Sequence, residues 1–133
     1  MYIIGVDIGT GSTKAVAVSD SGQVLETSQV SYPIIQPQPA YSEQAPELIW
    51  TSFAKCIGRI STSLGKPAGI VLSSAMHSVI PVDASGKPLM NMITWADNRS
   101  ADIASKIRSS ADGEQIYRDT GTPIHAMSPL CKI

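Results

Sequence analysis

Cysteine is scarce: Cys56 and Cys131 are the only two in 133 residues. Two thiols make neither a disulfide framework nor, alone, a tetrahedral zinc site, and they read as reduced thiols of a cytosolic protein. A basic excess is also missing. Ten Lys and Arg face eleven Asp and Glu, for a net charge of -1. Nucleic-acid binding through phosphate neutralisation is therefore not expected. No apolar run approaches the roughly 20 residues of a membrane span. The N-terminus has no basic n-region, and Asp7 interrupts its apolar stretch, so a signal peptide is not expected. What the chain has instead is apolar content, 43% hydrophobic against 16% charged. That composition argues against disorder, and the length is that of one ordinary domain able to bury a core.

Short apolar runs and turn signals set out the elements. Tyr2 to Ile8, rich in Ile and Val, reads as a buried strand. After the turn Gly9-Thr10-Gly11-Ser12, Thr13 to Ser19 reads as a second strand. Asp20-Ser21-Gly22 signals a hairpin, and Gln23 to Tyr32 a third strand covered on one side. The prolines of Pro33 to Tyr41 make a loop. Pro46 then suits a first helical turn, and Glu47 complements the helix dipole. Leu48, Ile49, Phe53, Ile57, Ile60 and Leu64 form one apolar stripe, stopped by Gly65-Lys66-Pro67. Ala68 to Ser73 reads as a strand. Val79 to Val82 and Leu89 to Ile93 read as a hairpin about Asp83–Lys87, and Asn98 to Ile107 and Gly113 to Arg118 as short helices. No repeat, low-complexity tract or obvious boundary interrupts this order. A β-β-β-α-β start points to an α/β domain with a mixed sheet.

Three segments carry candidate chemistry. In Asp7-Ile8-Gly9-Thr10-Gly11-Ser12-Thr13-Lys14 a carboxylate ends a strand, and a turn of glycines and hydroxyls leads into the next. Glycines let backbone N–H groups approach a phosphate, Thr10, Ser12 and Thr13 add hydroxyls, and Lys14 adds positive charge. Asp7 can hold Mg²⁺ directly or through water. The spacing is not that of a Walker loop. The bland alternative is an ordinary hairpin. Ser73-Ser74-Ala75-Met76-His77-Ser78 lies at the C-terminal end of a strand, where ligands gather in open α/β sheets. His77 could donate to a substrate hydroxyl or carboxylate. Alternatively it is a satisfied loop histidine, with Met76 as core filler. Thr94-Trp95-Ala96-Asp97-Asn98-Arg99-Ser100 offers an apolar wall and polar groups suited to a polyol. Its alternative is a helix N-cap at Asp97 or Asn98 with Arg99 solvated. His125 and Cys131 form no credible catalytic pair, because nothing nearby activates the thiol.

Together with Gly121-Thr122-Pro123-Ile124-His125-Ala126-Met127-Ser128-Pro129-Leu130-Cys131-Lys132-Ile133, these segments resemble the N-terminal domain of the FGGY carbohydrate kinases. That group includes glycerol kinase and xylulokinase, and within it the gluconate kinases look most similar. The resemblance runs over essentially the whole chain. It implies a ribonuclease H-like fold of the actin and hexokinase type, here incomplete, with residues 1–133 the first part of domain one. It makes Asp7 the Mg²⁺-associated acid, and Gly9, Thr10, Gly11, Ser12, Thr13 and Lys14 the turn that meets the phosphates of ATP. Met76 and His77 match a sugar-contacting pair, where glycerol kinases carry Arg-Glu, and Trp95, Asp97 and Arg99 match a segment beside the substrate pocket. Met127 falls where glycerol kinases carry an aromatic residue. The implied reaction is ATP-dependent phosphorylation of a sugar acid, D-gluconate to 6-phosphogluconate, by a longer cytoplasmic enzyme. Its catalytic Asp and adenosine site would lie in later segments, so the chain alone is expected to be inactive. A kinase of another polyol such as xylulose, and an actin-like ATPase or regulatory module, are the alternatives. The implied partner is a small sugar acid or polyol, not nucleic acid or membrane, with a homodimer allowed.

Overall fold

The N-terminal Ile and Val residues form a strand, as their β-branched side chains favour. A computed structural model describes residues 1–133. The elements run β1 (Tyr2–Ile8), β2 (Ser12–Ser19), β3 (Val24–Ser31), β4 (Glu43–Gln44), α1 (Pro46–Leu64), β5 (Gly69–Ser74), β6 (Met92–Ile93), α2 (Ala101–Arg108) and α3 (Gly113–Thr120). A 3-10 turn follows at Pro129–Cys131. The residues pack into two compact units, Met1–Ile34 with Ala45–Ala75, and Ile35–Gln44 with Met76–Ile133.

The first unit is a four-stranded sheet in the order β3-β2-β1-β5. β1 and β2, and β2 and β3, are antiparallel, while β5 runs parallel to β1, so the sheet is mixed as expected. Alternation along the strands divides its faces. Ile4, Val6, Ala15 and Ala17 are buried in one cluster with Cys56 and Ile60 of α1. The contact line of α1 differs from the apolar stripe expected of it. Its buried residues are Ser52, Cys56 and Ile60, four apart, whereas Leu48 is 44% exposed. Small side chains on the strands opposite, Ala15 and Ala17, account for this: a close approach favours small helix residues at the centre, with Phe53, Ile57 and Leu64 flanking. Pro46 opens the helix and Gly65, at φ +80°, closes it. β5 is one of the sheet's two edges and stays open despite its apolar character, with Val71 60% and Leu72 59% exposed.

In the second unit regular ladders are short. β4 pairs with β6, a contact between two-residue strands that local pattern does not announce. The expected hairpin survives only as isolated bridges, Val79 with Ile93 and Val82 with Pro88. Pro81 and Pro88 lack the N–H groups that a continuous ladder needs. Its turn does form, with Asp83 accepting the N–H groups of Ser85 and Lys87 and Gly86 at φ +82°. α2 starts at Ala101, three residues later than expected, because the backbone before it folds around Asp97. Ala104, Ile124 and Cys131 form the small core, with Ile107 and Ile116 against it. A Cβ on Gly113 would lie 2.5 Å from the Arg108 carbonyl oxygen, so the α2–α3 corner needs glycine.

Candidate active site

In the first unit, the β1–β2 turn places Asp7 opposite Lys14 on one neighbour and Ser73 on the other. Asp7 and Lys14 are exposed. They border an open depression of about 350 Å³ floored by Val16 and Val71. The Gly9 N–H donates to the Ser12 carbonyl at 2.9 Å, and a Cβ on Gly9 would sit 3.2 Å from that same oxygen. A side chain at Gly9 would therefore crowd the Ser12 carbonyl, while Gly11 leaves open space where a side chain would stand. Ser12 Oγ accepts from Gln29, which leaves its own proton free to donate.

Thr13 and Tyr32 form a brace beneath the turn. Thr13 is fully buried, and its hydroxyl meets that of Tyr32 at 3.2 Å. This places Thr13 under the turn rather than on its open surface, where sequence reading expected it. The Tyr32 hydroxyl donates to the Gly9 carbonyl at 2.7 Å, and the Tyr32 N–H donates to the Gly11 carbonyl. Burial pushes the Tyr32 phenol above its usual range, so it stays a neutral donor. Sequence reading missed Tyr32, although an aromatic at the end of β3 was a signal available to it.

In the second unit, Met76, His77, Trp95, Asp97 and Arg99 occupy irregular segments. Met76 is 72% exposed, which removes it from any core. His77 adopts φ +64°, a left-handed conformation that costs a non-glycine residue about 1–2 kcal/mol. It lines a depression of about 290 Å³ with Thr120, Thr122, Ser128 and Leu130.

Asp97 is fully buried. Its carboxylate accepts the Ser42 N–H at 2.7 Å and the Arg99 N–H at 3.0 Å, and it takes Arg99 Nε at 2.9 and 3.0 Å. Arg99 Nη2 reaches both Asp97 at 2.8 Å and Glu43 at 2.6 Å. The guanidinium also lies 3.8 Å over the Tyr41 ring. Burial pushes the Asp97 carboxyl up, but the bonds from Arg99 and Ser42 outweigh it and hold the group below the usual carboxylate range. Hydrogen bonding from Arg99 likewise lowers Glu43, and Asp97 raises Arg99 further. Neither helix-cap alternative holds, since the residue before α2 is Ser100, without a side-chain cap, and Arg99 is ion-paired rather than solvated. Asp97 and Arg99 therefore brace the Trp95 segment. Sequence reading missed Glu43, Tyr41 and Lys132, whose ammonium meets the carbonyls of His77 and Thr94.

The chain as a whole matches known proteins. Residues 2–133 match the model of the FGGY family of carbohydrate kinases, N-terminal domain. The chain belongs to the FGGY family of carbohydrate kinases. The gluconokinase of Bacillus subtilis is 46% identical over 134 residues, 99% of this chain and 26% of that protein. A gluconate kinase structure from Lactobacillus acidophilus superposes with a TM-score of 0.94 at 38% identity, over 98% of this chain and 27% of that one. A structure described as ligand-bound xylulose kinase from the same organism gives the same values. The chain thus spans about a quarter of the length of the FGGY kinases it matches. The likeness bears out the actin and hexokinase type of fold. No helix of this FGGY domain is long and apolar enough to cross a membrane.

Proposed function

We propose that the full-length protein bearing this domain is an ATP-dependent kinase of a small sugar acid, D-gluconate, acting in the cytoplasm. The sugar's primary hydroxyl oxygen forms a bond to the γ-phosphorus of ATP, and the bond from that phosphorus to the β–γ bridging oxygen breaks. ADP leaves, and the hydroxyl proton passes to a base. Within residues 1–133 no side chain is given that role. The observation that carries the reading is the β1–β2 turn, where Asp7 and Lys14 stand exposed beside a loop with a free Ser12 proton and an unobstructed Gly11. Such a turn can position phosphates and neutralise their charge, which is most of what phosphoryl transfer asks of a protein. Mg²⁺, where bound, supplies further neutralisation. No three His, Cys, Asp or Glu side chains cluster to hold a metal by themselves. Asp7 alone fits Mg²⁺, which takes one or two carboxylates together with substrate phosphates and keeps several waters.

For the acceptor, His77 and Trp95 in the second unit offer a hydrogen-bonding group and a half-exposed apolar wall. The 46% identity to a gluconokinase favours gluconate. The equal likeness to the structure described as xylulose kinase favours a second acceptor, xylulose. ADP release by the full-length protein, measured with gluconate, xylulose and glycerol, tests both. The highest kcat/KM is expected with gluconate. A preference for xylulose replaces the acceptor, and no ADP release with any sugar overturns the kinase reading.

A further inference from the structure

Lys132 lies outside every segment given a chemical role above, yet its ammonium meets the backbones of two of them and of its own C-terminal segment. Its Nζ donates to the Thr94 carbonyl at 2.7 Å, the Met127 carbonyl at 2.9 Å and the His77 carbonyl at 3.3 Å. An ammonium has three donors and no acceptor, so these contacts use all of them. The three carbonyls belong to loops without regular ladders, and carbonyls turned inward there need a donor. The stem is anchored at its base. The Lys132 N–H donates to the Pro129 carbonyl at 2.8 Å, and the neighbouring Cys131 is in the core. Burial pushes the Lys132 amine down, with Asp97 opposing this and Arg99 adding to it.

One of these carbonyls belongs to His77, whose backbone is held at φ +64°. A residue stays in that conformation only where its surroundings over-determine it. Another belongs to Thr94, which is fully buried and immediately precedes Trp95. The ammonium therefore ties together the backbones that carry the two candidate sugar-contacting side chains of this unit.

We propose that Lys132 is a positioning residue of the acceptor site, holding the His77 and Trp95 segments in the arrangement in which they meet the sugar without touching it itself. This rests on the sugar-kinase reading above. With the ammonium gone, His77 is free to relax to an ordinary backbone conformation, and its imidazole leaves its place.

The test uses Lys132→Met in the full-length protein, which keeps much of the stem and removes the charge. The KM for the sugar is expected to rise about tenfold or more, with the KM for ATP within about twofold of wild type. In a His77→Ala background the same substitution should raise the sugar KM by less than it does in wild type, leaving only the share that acts through Trp95, because residues acting through one another are not additive. Amide exchange followed by mass spectrometry should be about tenfold faster in the peptides covering 76–78 and 94–95, and unchanged in β1 and β2. Additive effects of the two substitutions, equal rises in both KM values, or unchanged exchange overturn the proposal. If Lys132→Met does not fold, Lys132→Gln takes the same measurements, and failure of both to fold makes Lys132 a folding residue and ends the proposal. If the wild type phosphorylates no sugar, the kinase reading has failed, and the exchange result alone decides whether the clamp exists.

Discussion

Asp7 stands near the end of a seven-residue strand paired on both sides, whereas His77 stands in a loop at φ +64°. The first unit holds its candidate residues through a main-chain ladder, with Tyr32 bracing the turn from beneath. The second unit has only two-residue strands near its candidates. It holds them with partly buried cations: Arg99 between Asp97 and Glu43, and Lys132 on three carbonyls. The difference agrees with the chemistry proposed for each. Phosphate is met largely by backbone N–H groups, so a site for it needs fixed backbone, which a sheet supplies. A polyol is met by side chains projecting from loops, and loops lack a ladder to satisfy their own backbone groups.

The contrast breaks most sharply at Asp7. Asp7→Asn in the full-length protein should lower kcat roughly a hundredfold or more while leaving the sugar KM near wild type, because the lost charge acts on Mg²⁺ and phosphate. Steady-state kinetics with both substrates varied would show it, and a sugar KM that rises with the fall in kcat would mean that Asp7 does not serve the phosphates alone.

Asp97→Ala comes next, with its main effect on stability. It leaves Arg99 with Glu43 as its remaining carboxylate and the buried Ser42 N–H without its acceptor, a loss of about 1–3 kcal/mol read from urea unfolding. The acid side of the pH profile sharpens the point. Asp97 and Glu43 both have lowered folded-state pKa values, so in acid the unfolded chain binds more protons and stability rises with pH. Their contribution is complete above their ordinary values, near pH 4, and is lost as pH falls through the folded ones. The acid-dependent loss should be smaller in Asp97→Ala than in wild type.

His77 separates binding from strain. Both His77→Ala and His77→Gly should raise the sugar KM about tenfold or more. His77→Gly should also be more stable than His77→Ala by about 1 kcal/mol, because glycine accepts φ +64° without penalty. Equal stability in thermal unfolding would show that the left-handed backbone relaxes once the imidazole is gone. The smallest effect is expected from Tyr32→Phe. It removes the bonds to Gly9 and Thr13, costs about 0.5–1.5 kcal/mol, and raises the ATP KM modestly with the sugar KM unchanged.

Local pattern made the first unit legible. Ile and Val at β1, the glycine turn, Pro46 and Gly65 mark their own elements, so β1 and α1 have the bounds that sequence reading expected. The inner face of α1 was less legible, because its centre depends on Ala15 and Ala17, which no helical period reports. In the second unit the deciding contacts are distant. Glu43 and Arg99 are 56 positions apart, and His77 and Lys132 are 55 apart. A single sequence shows that Asp97, Arg99 and His77 are chemically capable. It does not show that Arg99 is already held by two carboxylates or that the His77 carbonyl has a cation on it.

The second unit takes Ile35–Gln44 from before α1 and the rest from after β5. That discontinuity bears on recombination between related genes. A crossover placed between residues 75 and 76 would join the Asp97 and Arg99 of one parent to the Ser42 and Glu43 of another. The chimera would inherit a charge network assembled from two lineages, its buried carboxylate facing a stranger's backbone. Neither unit is a cassette that can be exchanged in one piece, and a viable exchange of the second has to carry the short upstream stretch with it.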